Sequence, residues 1–194
     1  MTVLENVNLT GQFLIAMPGM TDPYFSKTVS YICTHNQDGA FGIILNRPID
    51  MDLAKLFGEI SLEIRLPELA VQPVMFGGPV QRERGFVLHS PHGDYNSTIE
   101  INAGISLTTS KDILESIADQ NPPKKLLIAL GYAGWTHGQI ENEISQNAWL
   151  NWSSPDISIA QELIFDVPYM DKFDWIMSRM GLSFANLSET AGHA

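Results

Sequence analysis

The side chains that could do chemistry are a thin spread of arginines and lysines, five histidines, and glycines grouped where strands end. Asn46-Arg47-Pro48 closes one apolar run and Gly77-Gly78-Pro79 closes another. A planar cationic fork and adaptable backbone thus stand where sheets often carry sites. Arg47 could bind a carboxylate or phosphate, or equally make a structural ion pair with one of the many acids. Arg84 has the same two readings.

The segment Gly131 to Gly138 predicts a glycine-punctuated turn that runs into a helix over Gln139 to Gln146. Unpaired N–H groups and a positive dipole end could hold an anion there, unless Gly131 and Gly134 serve only a tight bend beneath Trp135. His137 and Glu141, four residues apart, could share a helix face and ligate a metal. A solvated helix start is the plainer reading, because no further ligands follow at a recognisable spacing. His89 and His92 flank Pro91 in another turn, and Ser90 lies in no nucleophile elbow. Cys33 sits in a strand pattern, Val29 to Cys33, where a thiol acts as a small apolar group.

These residues must be positioned by elements that read as β in the first half. Strands are predicted at Gln12 to Met17, Thr28 to His35, Ala40 to Asn46, Val74 to Phe76 and Gly85 to His89. Asn36 to Gly39 joins the second and third as a hairpin. Helices are predicted at Asp52 to Ile60, at Ser110 to Gln120 opened by Thr109, and at Lys172 to Met180 stopped by Gly181. Pro122 and Pro123 deliver the chain into a buried strand, Leu126 to Leu130, and Ala148 to Trp152 predicts another. Without strict strand–helix alternation this is an α+β chain, its core an antiparallel or mixed sheet flanked by several helices. It reads as one domain over residues 1–194, with 183–194 a loose tail.

Hydrophobic residues at 44% and charged residues at 17% are the balance of a folded protein rather than a disordered one. The formal charge of -11 gives an averaged field that repels phosphate backbones and anionic lipid, so direct nucleic-acid binding is not expected. No apolar run approaches the ~20 residues that span a bilayer, so no membrane partner is expected. The single cysteine and a start without basic residues before Lys27 fit a reducing cytoplasm. No cofactor or metal site is indicated.

In order along the chain, Gly11 to Pro18, Asp22-Pro23-Tyr24-Phe25, Gly42 to Pro48, Phe76 to Val80 and Gly85 to His89 form a series. With Gly131-Tyr132-Ala133-Gly134-Trp135, Gly138 to Glu141 and Asn147 to Leu150 it resembles the AlgH/YqgE family of bacterial proteins. Thr136-His137 and Asn142 depart from that pattern. The resemblance implies a compact α+β domain with a mostly β core and no established activity. Some members are labelled as candidate transcriptional regulators, a role that here would act through protein or ligand contacts. The expected function is therefore a regulatory domain binding a protein or a small anionic ligand. Its site gathers Arg47, Gly77, Gly78, Arg84, His89, Gly131, Gly134 and Gln139. The alternative is an enzyme acting on a small anionic substrate through His89 or Glu141.

Overall fold

A computed structural model describes residues 7–191. Ten strands form one curled sheet: β1 (Phe13–Ala16), β2 (Val29–Asn36), β3 (Gly39–Ile44), β4 (Pro48–Asp52), β5 (Pro73–Phe76), β6 (Val80–Ser90), β7 (Thr98–Asn102), β8 (Ile105–Thr108), β9 (Lys125–Thr136) and β10 (Trp149–Trp152). They lie in the order β10-β1-β2-β3-β9-β6-β8-β7, with β5 pairing both β4 and β9. Every pairing is antiparallel except β5 with β9. The architecture is α+β in a single compact domain. The helices are α1 (Leu53–Glu59), α2 (Pro67–Ala70), α3 (Asp112–Ala118), α4 (Gln139–Ser145), α5 (Ile157–Gln161), a π-helix (Glu162–Asp166), α6 (Lys172–Arg179) and α7 (Phe184–Ala191). Among the described residues no helix is long and apolar enough to cross a membrane.

Both faces of the sheet are covered, which is why β1 is buried at all four positions. Phe13 and Ile15 join a core with α5, the π-helix and α6, while Leu14 and Ala16 join Ile140 of α4 on the other face. The helices α1 and α3 supply Leu53, Phe57, Ile113 and Ile117 to a third cluster.

Alternation along β9 explains a glycine. Leu127 and Ala129 face the α6 side, and Ile128 and Leu130 the α1 side. Beyond Gly131 the parity has shifted by one: Tyr132 faces the α6 side, and Ala133 and Trp135 the α4 cluster. Gly131 has φ +76, so one residue in a conformation natural to glycine flips the register of everything after it.

Two sequence expectations are corrected here. Gly131 to Trp135 is no turn but the second half of β9, and the chain reverses only at His137-Gly138. Its apolar residues are needed on both faces of a central strand, and that burial outweighs the glycine signal. Residues 184–191 are helical rather than loose, with Phe184 set edge-on to Phe173 at 5.8 Å; residues 192–194 of the expected tail lie outside the described residues. Smaller differences are that β4, β7 and β8 had no sequence prediction, and that α3 begins at Asp112 without a side-chain cap from Thr109.

Candidate functional site

The Asp22–Ser26 turn, the end of β3, the β5–β6 crossing and the middle of β9 meet at one place. Arg47 is half-buried and donates through its two terminal nitrogens to the carbonyls of Pro23, at 2.5 Å, and Ser26, at 2.6 Å. Its backbone carbonyl accepts from Phe76 N–H at 2.6 Å, and Gly77 N–H reaches Leu130 O at 2.9 Å. Arg47 therefore staples the turn to the sheet, and its fork is already occupied by backbone.

Gly77 and Gly78 let β5 cross β9. A Cβ at Gly77 would lie 2.2 Å from Gly131 O, and one at Gly131 would lie 2.3 Å from Gly78 O. Close backbone approach accounts for all three glycines, and no anion cradle is formed by them.

The stapled turn presents two rings in opposite directions. Phe25 packs inward on Trp135 and Trp149, while Tyr24, 40% exposed, lies against Phe76 at 5.5 Å and 25° between ring planes. Above this pair stands the guanidinium of Arg82, 5.6 Å from the Phe76 centroid and 5.9 Å from that of Tyr24. Arg84 lies over Phe86 at 5.6 Å and donates to Gln81 Oε1 at 3.2 Å. Both arginines belong to a bulge: Val80 pairs with Tyr132 and Gly85 with Leu130, so five steps on β6 span two on β9. Gln81 opens it at φ +47, a strained value for a residue with a side chain. Bulges re-aim side chains, and here two arginines are turned toward solvent. Arg82 makes no hydrogen bond or ion pair among the described residues, so its donor edge is ordered by stacking and left open.

Two expected site residues do not join. His89 pairs with Leu126, eight residues along β9 from Gly134, a separation of about 26 Å along the strand. It is fully buried, with Nδ1 against Pro91 O at 2.9 Å and Nε2 against Thr108 Oγ1 at 2.7 Å. The neutral ring donating from Nδ1 and accepting the Thr108 hydroxyl satisfies both contacts. Burial holds the imidazole below its ordinary pKa of 6.5, with the Pro91 carbonyl opposing. A depressed histidine is neutral in the fold, so stability is lost as pH falls below about 6.5, where only the unfolded chain takes the proton freely. His89→Asn should flatten that fall, which reaches at most about 1.4 kcal/mol per pH unit. Denaturant melts between pH 7.5 and 5.5 measure it, and an unchanged slope would count against a buried neutral ring.

Gln139 lies three residues beyond the end of β9 and is spent on the turn there, accepting from Thr136 N–H at 2.9 Å and donating to Glu143 Oε1 at 2.8 Å. The other oxygen of Glu143 takes the indole N–H groups of Trp135 and Trp149. Glu141 pairs at 2.8 Å with His35 rather than with His137. That pair joins β2 to α4 across 106 positions, which no local spacing could reveal.

None of the four described cavities is lined by any of the eight expected residues. Of the convergent part, Gly77, Gly78 and Gly131 are buried, Arg47 is half-buried, and Arg84 and Gly134 reach the surface. Sequence reasoning missed Arg82 and Tyr24 as parts of it. The signal was available in Arg82-x-Arg84 shortly after Phe76, but the second ring, Tyr24, comes from a segment more than fifty residues earlier.

Residues 13–185 match the family described as AlgH-like. The chain is 51% identical over 189 residues to the UPF0301 protein azo3459 of Azoarcus sp. (strain BH72), covering 97% of this chain and 98% of that one. It is 49% identical over 191 residues to a UPF0301 protein of Dechloromonas aromatica (strain RCB), covering 98% and 100%. The solution structure of the AlgH protein from Pseudomonas aeruginosa superposes with a TM-score of 0.76 at 40% identity, over all of both chains. Protein DIP2367 from Corynebacterium diphtheriae shares the fold at 19% identity, with a TM-score of 0.69 over 97% of this chain and 94% of that one.

Proposed function

We propose that this chain, which belongs to the AlgH-like family, is a cytoplasmic binding domain that recognises an acidic protein partner on the Arg82–Arg84 face. The observation that carries the reading is the Arg82 guanidinium, fixed over Tyr24 and Phe76 with its donors unpaired. Arginine and tyrosine are the side chains that most often concentrate binding energy at protein interfaces. A carboxylate meets such a fork through two parallel hydrogen bonds.

None of the described cavities is lined by Arg82, Arg84, Tyr24 or Phe76, which favours a macromolecule over a small substrate, since a small molecule needs a cleft to bury most of its surface. A net charge of -11 repels both kinds of anion, but duplex DNA meets that repulsion along its whole footprint, whereas a short acidic segment can be confined to the two arginines. Regulation through such a contact needs no catalysis. The enzyme alternative has no support at its proposed acid–base groups: His89 is sealed in the sheet, and Glu141 is engaged by His35.

Calorimetric titration with a hexaglutamate peptide tests the reading. Arg82→Ala and Arg84→Ala should each weaken binding about tenfold, with Lys55→Ala on α1 unchanged, and the affinity should fall as salt rises. Equal affinity of Arg82→Ala and the parent chain would remove the proposal.

A further inference from the structure

We infer that the cleft between α2, the Pro122–Leu126 entry to β9 and the π-helix is a second binding site, which takes a small molecule with an apolar body and an anionic head. It is the largest of the described cavities, about 720 Å³, and a recess of about 200 Å³ adjoins it. The two share Gln72, Leu126, Phe165 and Asp166 as a common wall. That size suits a small organic ligand.

The chemistry of the walls sets the ligand class. Leu66, Leu69, Pro123, Leu126 and Phe165 supply an apolar surface. Of the chain's 11 basic residues three, Lys124, Lys125 and Lys172, line this space, against two of its 22 acidic residues, Glu68 and Asp166. Burial pulls Lys172 down to about 7, so Lys124 and Lys125 offset Glu68 and Asp166 and, in a protein of net charge -11, this space is close to neutral rather than acidic. Asp166 is already neutralised by Lys125, and Lys124 is exposed with no partner among the described residues. A free cation at the mouth of an apolar cleft selects an anionic head and leaves the body to be buried.

The inner wall is built to stay open. Pro122 and Pro123 fix the backbone on one side. On the other, Lys172 Nζ donates to Leu163 O at 2.6 Å and Ile164 O at 2.7 Å, holding the carbonyls that the wide π turn leaves available. Single π turns recur at functional positions. Val71 and Met170, 74% and 68% exposed, are the chain neighbours of the lining residues Gln72 and Tyr169.

The site is independent of the Arg82–Arg84 face and is tested apart from it. Sodium decanoate below its micelle concentration is titrated into the isotope-labelled full chain and followed by amide NMR and thermal shift. Saturable shifts at Leu126, Phe165 and Asp166 are expected, with a rise in melting temperature. Lys124→Glu should weaken decanoate about tenfold, Lys124→Gln should be intermediate, and uncharged decanol should bind the parent chain about tenfold more weakly. Decanol binding as tightly as decanoate, Lys124→Glu binding as tightly as the parent, or unsaturable shifts spread over the surface would each overturn the inference.

Discussion

Replacing Gly78 by alanine is expected to remove a large part of the stability of the fold. The new Cβ would lie 2.0 Å from the carbonyl carbon of Tyr132, 2.1 Å from its oxygen and 2.2 Å from Ala133 N, at a φ of +156. All three atoms are backbone of the central strand, so no rotamer change can relieve the clash. The cost should reach about 4 kcal/mol or more, against a typical domain stability of about 5–15 kcal/mol. Gly131→Ala should behave alike, because its Cβ would meet Gly78 O at 2.3 Å. Gly58→Ala in α1 is the control: nothing lies within 4 Å, and removing a helix glycine should stabilise by about 0.5–1 kcal/mol. Urea unfolding of the three variants checks this. A Gly78→Ala protein as stable as its parent would contradict the close approach of Gly78 to the β9 backbone.

Lys172→Ala should be the second large effect. The ammonium is 2% exposed and serves two carbonyls of the π-helix, so truncation leaves both without a donor and opens a cavity between α6 and the sheet. About 3–5 kcal/mol is expected from those two losses together. Lys172→Met keeps most of the volume and should lose less, since it also removes a charge that is costly to bury.

Burial pulls this lysine down to about 7, with the Asp166 carboxylate opposing. The unfolded chain holds its proton to about 10.5, so between those values the unfolded state binds more protons than the fold. Stability should therefore rise as pH climbs from about 7 toward 10.5, and fall back on acidification. Between pH 7 and 9 the ceiling is about 2–3 kcal/mol, reduced because the two carbonyl acceptors favour the charged form. Comparing the pH slopes of the parent and Lys172→Met isolates this group. Parallel slopes would contradict a pKa lowered by burial.

The elements legible in the sequence were those whose signals are local. The β2–β3 hairpin shows in alternating apolar residues around Asp38-Gly39, and α6 in its periodic apolar face closed by Gly181. What stayed hidden is long-range. Gly131 and Gly134 look like a turn to any local rule, yet Gly134 pairs with Phe41, and Gly131 makes room for Gly78. The expected site was half legible for the same reason. Of the strand-closing motifs and glycines, Arg47, Gly77, Gly78, Gly131, Gly134 and Arg84 lie near one another in the fold. His89 ends a strand too, but at the opposite end of β6, and the direction in which a strand enters a sheet cannot be read from its own residues.

Arginine stacking was hidden more deeply. Arg82 and Arg84 are two residues apart, which in regular β structure puts them on one face with Phe86 and leaves Glu83 with Val87. Both statements hold, since Arg84 covers Phe86 while Glu83 and Val87 line a cavity on the other side. The exposure of that face depends on three extra residues at the bulge, which only the register of β9 exposes.

Amide and arginine Nε–H NMR of the full chain, titrated with hexaglutamate, tests recognition at this face most directly. The account predicts saturable shifts at Arg82, Arg84, Tyr24 and Gly78 that fade as salt is raised, with Leu126 and Phe165 still. Binding that moves other surfaces and leaves the Arg82 and Arg84 signals in place would contradict it.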